Sequence, residues 1–194
     1  MQASFRTLGH GTASRQQLLD LLTGAGVLTV VDVRRFPGSR AHPHVRREAL
    51  AEWLPAAGIA YRWEERLGGR RRLADGSPDV WWQVPAFRAY AGHMRTAEFA
   101  AAMDGLLRES GAAVMCSESL WWRCHRRLIA DFAVLARGAE VRHLQHDGRL
   151  TAHTVAAGAR LRADGLLVYD RIADSGTGSA DRRSSPAATR PATT

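Results

Sequence analysis

Residues 114–127, Val-Met-Cys-Ser-Glu-Ser-Leu-Trp-Trp-Arg-Cys-His-Arg-Arg, gather both cysteines of the chain, a carboxylate, a histidine and three arginines. Cys116 ends an apolar run and precedes a segment with helical spacing. A helix N-terminus lowers a thiol pKa and favours the thiolate, which makes Cys116 a candidate nucleophile. The plainer reading is a small apolar residue that closes a core strand. Glu118, on the polar turn that follows, is a candidate acid, base or orienter, and His125 a candidate general base. Arg123, Cys124 and Arg126 are candidates for holding substrate. Cys116, Cys124 and His125 also have the donor types of a zinc site. Seven residues separate the cysteines and there is no second Cys-x-x-Cys, a weak spacing for zinc. No metal and no cofactor are therefore expected.

Three further groups could join this stretch. Asp32-Val33-Arg34-Arg35 ends a β-branched run, Val27–Val33, and opens a basic loop that continues to Arg40, His42 and His44. Charges placed abruptly at the end of a buried strand suit the ligand crevice of an open α/β sheet, with Asp32 and His10 in catalytic roles and Arg34 and Arg35 on substrate. A structural ion pair between Asp32 and an arginine is the alternative. Gly9-His10-Gly11 ends the first strand. Gly68-Gly69 allows a close backbone approach beside Arg70, Arg71 and Arg72, which could grip phosphates or form a solvated loop. Trp81-Trp82 could stack bases, although packing is the commoner use. A cysteine at a strand end after an earlier Asp-Val-Arg is similar to the thiolate loops of rhodaneses and cysteine phosphatases, where backbone amides wrap an anion. Here Glu118 and two tryptophans occupy the would-be cradle, and a fixed carboxylate opposes an anion. Sulfur or phosphate transfer through Cys116 is thus the weaker reading.

The elements that must position these groups alternate along the chain. Phe5–His10 reads as a strand and Arg15–Leu22 as a helix. Val27–Val33 is a strand with the continuous apolar character of a buried parallel one. A helix at 46–57, a strand at 59–63, helices from 87 and from 97 to 108, and a strand at 113–116 follow. The pattern then predicts a helix over 122–136, a strand over 140–145 at or near an edge, a turn at 146–149, a short helix over 151–161 and a small strand near 166–169. Strand and helix alternation of this kind gives a single α/β domain over 1–170: a mostly parallel, Rossmann-like sheet of about five strands with helices on both faces. Residues 171–194 turn to Ser, Thr, Ala, Gly, Pro and Arg, and are expected to be a disordered tail.

Composition narrows the function classes. The chain has 194 residues, 45% of them hydrophobic, and a formal charge of +8. All 27 basic side chains are arginine, the better partner for phosphate and for base stacking. A basic surface suits nucleic acid or nucleotides, while GC-rich coding bias would produce the same excess. No apolar stretch is long enough to span a membrane, the first residues lack a signal-like apolar core, and two thiols do not make a disulfide framework. A cytoplasmic location without membrane partners is expected.

Several motifs in order resemble one family. Thr7-Leu8-Gly9-His10-Gly11-Thr12 is similar to its opening motif, and Val31–Pro37 to its Asp-Val-Arg strand and loop. Leu67-Gly68-Gly69 and Phe87-Arg88-Ala89-Tyr90 fit its pattern, and Met115–Glu118 with Arg123–Arg126 resembles its most distinctive segment. The family is domain of unknown function 488, and the resemblance runs over roughly 5–146. It implies a cytoplasmic α/β fold and a shared site built from these motifs, and supplies no activity. The expected function is an enzyme acting on nucleic acid or a nucleotide-like anion in a crevice at the strand C-termini. The alternative is a non-catalytic nucleic-acid-binding module.

Overall fold

Val30, Val31 and Val114 are fully buried because the strands that carry them are covered on both faces. In the computed structural model, which describes residues 2–170, β2 (Thr29–Asp32) and β4 (Ala112–Cys116) lie side by side within a six-stranded sheet. The other strands are β1 (Ser4–Gly9), β3 (Ala60–Trp63), β5 (Glu140–Leu144) and β6 (Leu150–Ala152), in the order β3-β2-β4-β1-β5-β6. The first five strands run parallel, and β6 returns antiparallel to β5. The expected tail, 171–194, lies outside the described residues.

Alternate side chains of each strand point to opposite faces, and each face has its own core. Leu8, Val30, Ala113 and Met115 pack with Leu18 and Leu22 of α1 (Arg15–Gly24) and with Leu50, Trp53 and Leu54 of α2 (Arg47–Ala56). Phe5, Val31, Val114 and Cys116 pack on the other side. Their partners there include Tyr90 of α3 (Pro85–His93), Phe99 and Met103 of α4 (Ala97–Leu107), and Ile129 and Phe132 of α5 (Arg126–Arg137). This is the expected α/β domain, with one strand more than expected.

Local chemistry sets the helix ends. Gln17 donates its backbone N–H to Ser14 Oγ at 3.2 Å while Ser14 N–H donates to Gln17 Oε1 at 2.8 Å, a reciprocal capping box that starts α1. Thr96 Oγ1 accepts from the Phe99 N–H at the start of α4. Gly138, left-handed at φ 62°, ends α5, as glycine commonly does. Pro55 sits in the last turn of α2, which closes one residue later.

Two sequence expectations are overturned, both by tertiary packing. The helix expected from Trp122 begins only at Arg126; residues 121–123 form a single 3-10 turn and Cys124 is extended. Trp121 lies flat on the His143 ring, with centroids 3.9 Å apart and planes 6° from parallel, which draws this turn toward β5 and out of helical register. The helix expected over 151–161 does not form. Its first residues become β6 and cover the edge that β5 would otherwise expose. Its last pair, β7 (Arg160–Leu161), joins β8 (Leu167–Val168) in a separate two-stranded sheet. Strand β5 is therefore second from the edge.

Behind β5 runs a buried polar chain. Thr7 Oγ1 lies 2.7 Å from His143 Nδ1, His143 Nε2 3.0 Å from His153 Nδ1, and His153 Nε2 2.8 Å from Asp131 Oδ1. Tyr169 donates its hydroxyl to Asp131 Oδ2 at 2.9 Å, and the Ala156 N–H donates to Oδ1 at 3.0 Å. Each ring can pass one N–H along, so every member of this chain is satisfied, as buried polar groups require. Among the described residues no helix is long and apolar enough to cross a membrane.

Candidate functional site

The C-terminal ends of β2, β4 and β1 adjoin one another, so Asp32, Cys116 and Gly9 finish on the same edge of the sheet. Asp32 is fully buried and accepts two hydrogen bonds from the Arg34 guanidinium, from Nε at 2.8 Å and Nη2 at 2.5 Å. Tyr61 donates its hydroxyl to Asp32 Oδ2 at 2.9 Å, and Arg34 Nη2 also donates to the Val45 carbonyl at 2.8 Å. The carboxylate thus fixes Arg34 and is spent on doing so. The ion-pair reading of Asp32 holds, and Arg34 still reaches the cavity at the strand ends.

The remaining nitrogen of Arg34, Nη1, faces His10 Nε2 at 3.3 Å. His10 Nδ1 lies 2.9 Å from the Gly11 carbonyl. A carbonyl only accepts, so Nδ1 carries the proton and Nε2 receives Arg34. Burial first, then the Arg34 charge, hold the His10 pKa down at about 4. The ring is neutral at neutral pH and its lone pair is occupied. His10 positions Arg34 and is not a free base.

Gly9 is fixed by steric need. A Cβ there would lie 1.8 Å from the Glu118 carbonyl oxygen. The backbone of the 117–119 turn lies directly over β1, held by the Gly11 N–H on the Ser117 carbonyl at 3.0 Å. Arg126 secures the same turn from beneath. Its guanidinium, 1% exposed, donates to the Glu118 and Ser119 carbonyls and, through Nε, to Cys124 Sγ at 3.5 Å. Among the described residues no carboxylate pairs with Arg126. Glu118 is exposed on this turn, and its Oε1 accepts the Leu120 N–H at 3.2 Å.

Because α5 starts at Arg126, its N-terminus lies beside Cys124 and not Cys116. The thiolate expected at Cys116 is displaced accordingly. Cys116 is pushed up from the ordinary thiol range, by the hydrogen bond it gives Cys124 and then by burial. Cys124 is drawn down, by that same bond first and, against its own burial, by the Arg126 charge. Among the described residues, Cys124 Sγ is thus the one group beside Arg126 Nε that accepts from it, at 3.5 Å. His125 Nδ1 lies 3.9 Å from Cys116 Sγ and 3.6 Å from Cys124 Sγ, and its Nε2 is buried without a partner among the described residues.

Over these groups lies a cavity of about 320 Å³, lined by His10, Arg34, Arg35, Phe36, Gly38, Ser39, Gly69, Arg70, Cys116, Ser117 and His125. Of the ten residues expected at the site, His10, Arg34, Arg35, Cys116 and His125 meet there. Asp32, Cys124 and Arg126 stand behind that lining as supports. Glu118 and Arg123 are exposed outside it. Phe36, Gly38, Ser39, Gly69, Arg70 and Ser117 complete the lining. Gly69 is there because the 68–70 loop packs on the His125 ring, where a Cβ would come within 3.2 Å of Nδ1. The sequence signal for this loop was its paired glycines beside an arginine run. Arg70 is left-handed at φ 55°, the one such non-glycine residue among those described. Backbone strain of this kind concentrates at functional sites. Trp81 and Trp82 do not join them. They pack edge to face with centroids 4.6 Å apart, under Arg127 and against Phe87 and Tyr169.

The family model described as Domain of unknown function DUF488 matches residues 14–133. The chain belongs to that family. Within the DUF488 match fall the Asp32–Pro37 loop, Gly68-Gly69 and the Cys116–Arg126 segment; Gly9 and His10, which complete the crevice, lie just before it. No curated protein and no solved structure matches the chain.

Proposed function

We propose that the cavity binds a phosphate-bearing, nucleotide-like substrate and that the protein is an enzyme acting on it against Cys116 and His125. The observation that carries this reading is the charge of the lining. Arg34, Arg35 and Arg70 converge on one cavity, and among the described residues no carboxylate lines it. Asp32 offsets Arg34 alone, so the surplus positive charge faces the ligand space. Preorganised guanidinium groups match phosphate oxygens in pairs. Phe36 supports the nucleotide form of the anion. It is 65% exposed at the cavity rim, with Arg35 Cζ at 5.9 Å and Arg70 Cζ at 5.7 Å from its ring centroid. An aromatic face beside two arginines offers a base a place to stack next to its phosphate.

A binding module without catalysis has less support, because Trp81 and Trp82, which would stack bases, are engaged with each other and with Phe87, Tyr169 and Arg127. Sulfur or phosphate transfer through Cys116 has less support too, because Cys124 and burial push the Cys116 thiol up from its ordinary range.

Calorimetric titration with a nucleoside monophosphate tests the reading. Saturable binding is expected, weakening with salt. Arg35→Ala should lower affinity about tenfold, since one charge-assisted hydrogen bond contributes about 1.5–3 kcal/mol and 1.4 kcal/mol is tenfold. Failure of both a nucleoside monophosphate and inorganic phosphate to bind overturns it.

A further inference from the structure

Cys116 Sγ, Cys124 Sγ and His125 Nδ1 lie within 4.8 Å of one another, brought together from the end of β4 and the entry to α5. We propose that these three atoms are the protein ligands of a zinc ion at the floor of the cavity, with the fourth coordination position open to it. In a tetrahedral zinc site with Zn–S of about 2.3 Å and Zn–N of about 2.0–2.1 Å, sulfur and nitrogen ligands stand about 3.6 Å apart. The two sulfur–nitrogen distances, 3.6 and 3.9 Å, have this length. They are all that His125 Nδ1 has among the described residues. The ring is half-buried, and the two cysteine sulfurs are what its Nδ1 faces.

The ligand chemistry selects the metal. Two thiols and an imidazole suit zinc and exclude the oxygen-seeking magnesium and calcium. Two cysteines, one histidine and an open place form the donor set of a catalytic zinc and not of a closed structural one. The open side is given by position. Cys116 and His125 line the cavity whereas Cys124 lies behind them, so the fourth ligand, a water or a substrate oxygen, comes from the ligand space. The surroundings suit a bound thiolate as well. The Arg126 guanidinium donates to Cys124 Sγ from behind at 3.5 Å, as supporting groups around metal ligands do. Binding Zn²⁺ displaces the thiol protons to solvent and leaves two thiolates, one neutral imidazole and the ion.

Metal content and cobalt spectra of the full chain, purified under reducing conditions, provide the test. The expected result is about one zinc per chain. Cobalt substitution should give a thiolate-to-cobalt charge-transfer band with the intense ligand-field bands of a tetrahedral site. Cys116→Ser and Cys124→Ser should each lose at least tenfold in zinc affinity. The wild-type measurement decides even if a variant fails to fold. A folded wild type that takes up no stoichiometric zinc overturns the proposal. A cobalt spectrum without the charge-transfer band, or folded serine variants that bind zinc as well as wild type, does the same. Zinc uptake without nucleotide or phosphate binding would leave this site standing and remove the anion reading; nucleotide binding without zinc would do the reverse.

Discussion

At the scale of single residues, the site depends on which charges are already committed. Asp32 and His10 have the chemistry of an acid and a base, yet both are held by Arg34: Asp32 by two hydrogen bonds, His10 through its only lone pair. Cys124, expected on substrate, instead accepts the Arg126 Nε–H behind the cavity. Arg70 carries the opposite lesson, because its left-handed backbone holds a cation at the cavity against its own conformational preference. A left-handed non-glycine residue costs about 1–2 kcal/mol. Arg70→Gly should therefore raise the unfolding midpoint slightly while weakening nucleoside monophosphate binding severalfold. Thermal melts and calorimetry on one preparation check this, and a variant that is less stable with unchanged affinity would contradict it.

At the scale of elements, two close approaches build the crevice. The 117–119 turn crosses over β1 at Gly9, and the 68–70 loop lies against His125 at Gly69. Gly9→Ala would drive a methyl group into the Glu118 carbonyl, and backbone on both sides leaves no flexible side chain to yield. Overpacking in such a place costs about 3 kcal/mol. Urea denaturation should show a loss of that size, with the turn and the cavity disturbed together. A midpoint equal to wild type would mean that the turn does not lie where this contact puts it. The late start of α5 belongs to the same scale. It moves the helix N-terminus from Cys116 to Cys124.

At the scale of the whole molecule, buried neutral histidines link stability to pH. Burial first, then the neighbouring His153 ring and the Arg126 guanidinium, hold His143 down at about 3, and His10 is held at about 4, both from an ordinary 6.5. Between those values the unfolded chain binds protons that the folded chain refuses. The stability these residues contribute is full above about pH 6.5 and falls as the pH drops toward 3. The urea midpoint should decline already between pH 6.5 and 5, above the range where most carboxylates titrate. A flat midpoint across that window would show that neither ring is buried neutral.

The sequence alone determined the layers and the neighbourhood of the site. Continuous β-branched runs can only be strands covered on both sides, and helical spacing with good caps fixes α1 and α4. Abrupt charges after Val31 and Cys116 mark the strand ends where crevices form. Residues distant in sequence were beyond its reach. Cys116 and Cys124 show no zinc spacing along the chain, yet they meet His125 because the 121–123 turn folds back. Glu118 follows the strand as a catalytic acid would and is exposed, because its carbonyl, not its carboxylate, is what Arg126 holds against Gly9 of β1. Arg70 reaches the cavity only because Gly69 lets its loop touch His125. Periodicity records which side of an element is buried. Only the tertiary structure decides which buried groups face one another, since that depends on where each connecting turn is drawn by packing at its far end.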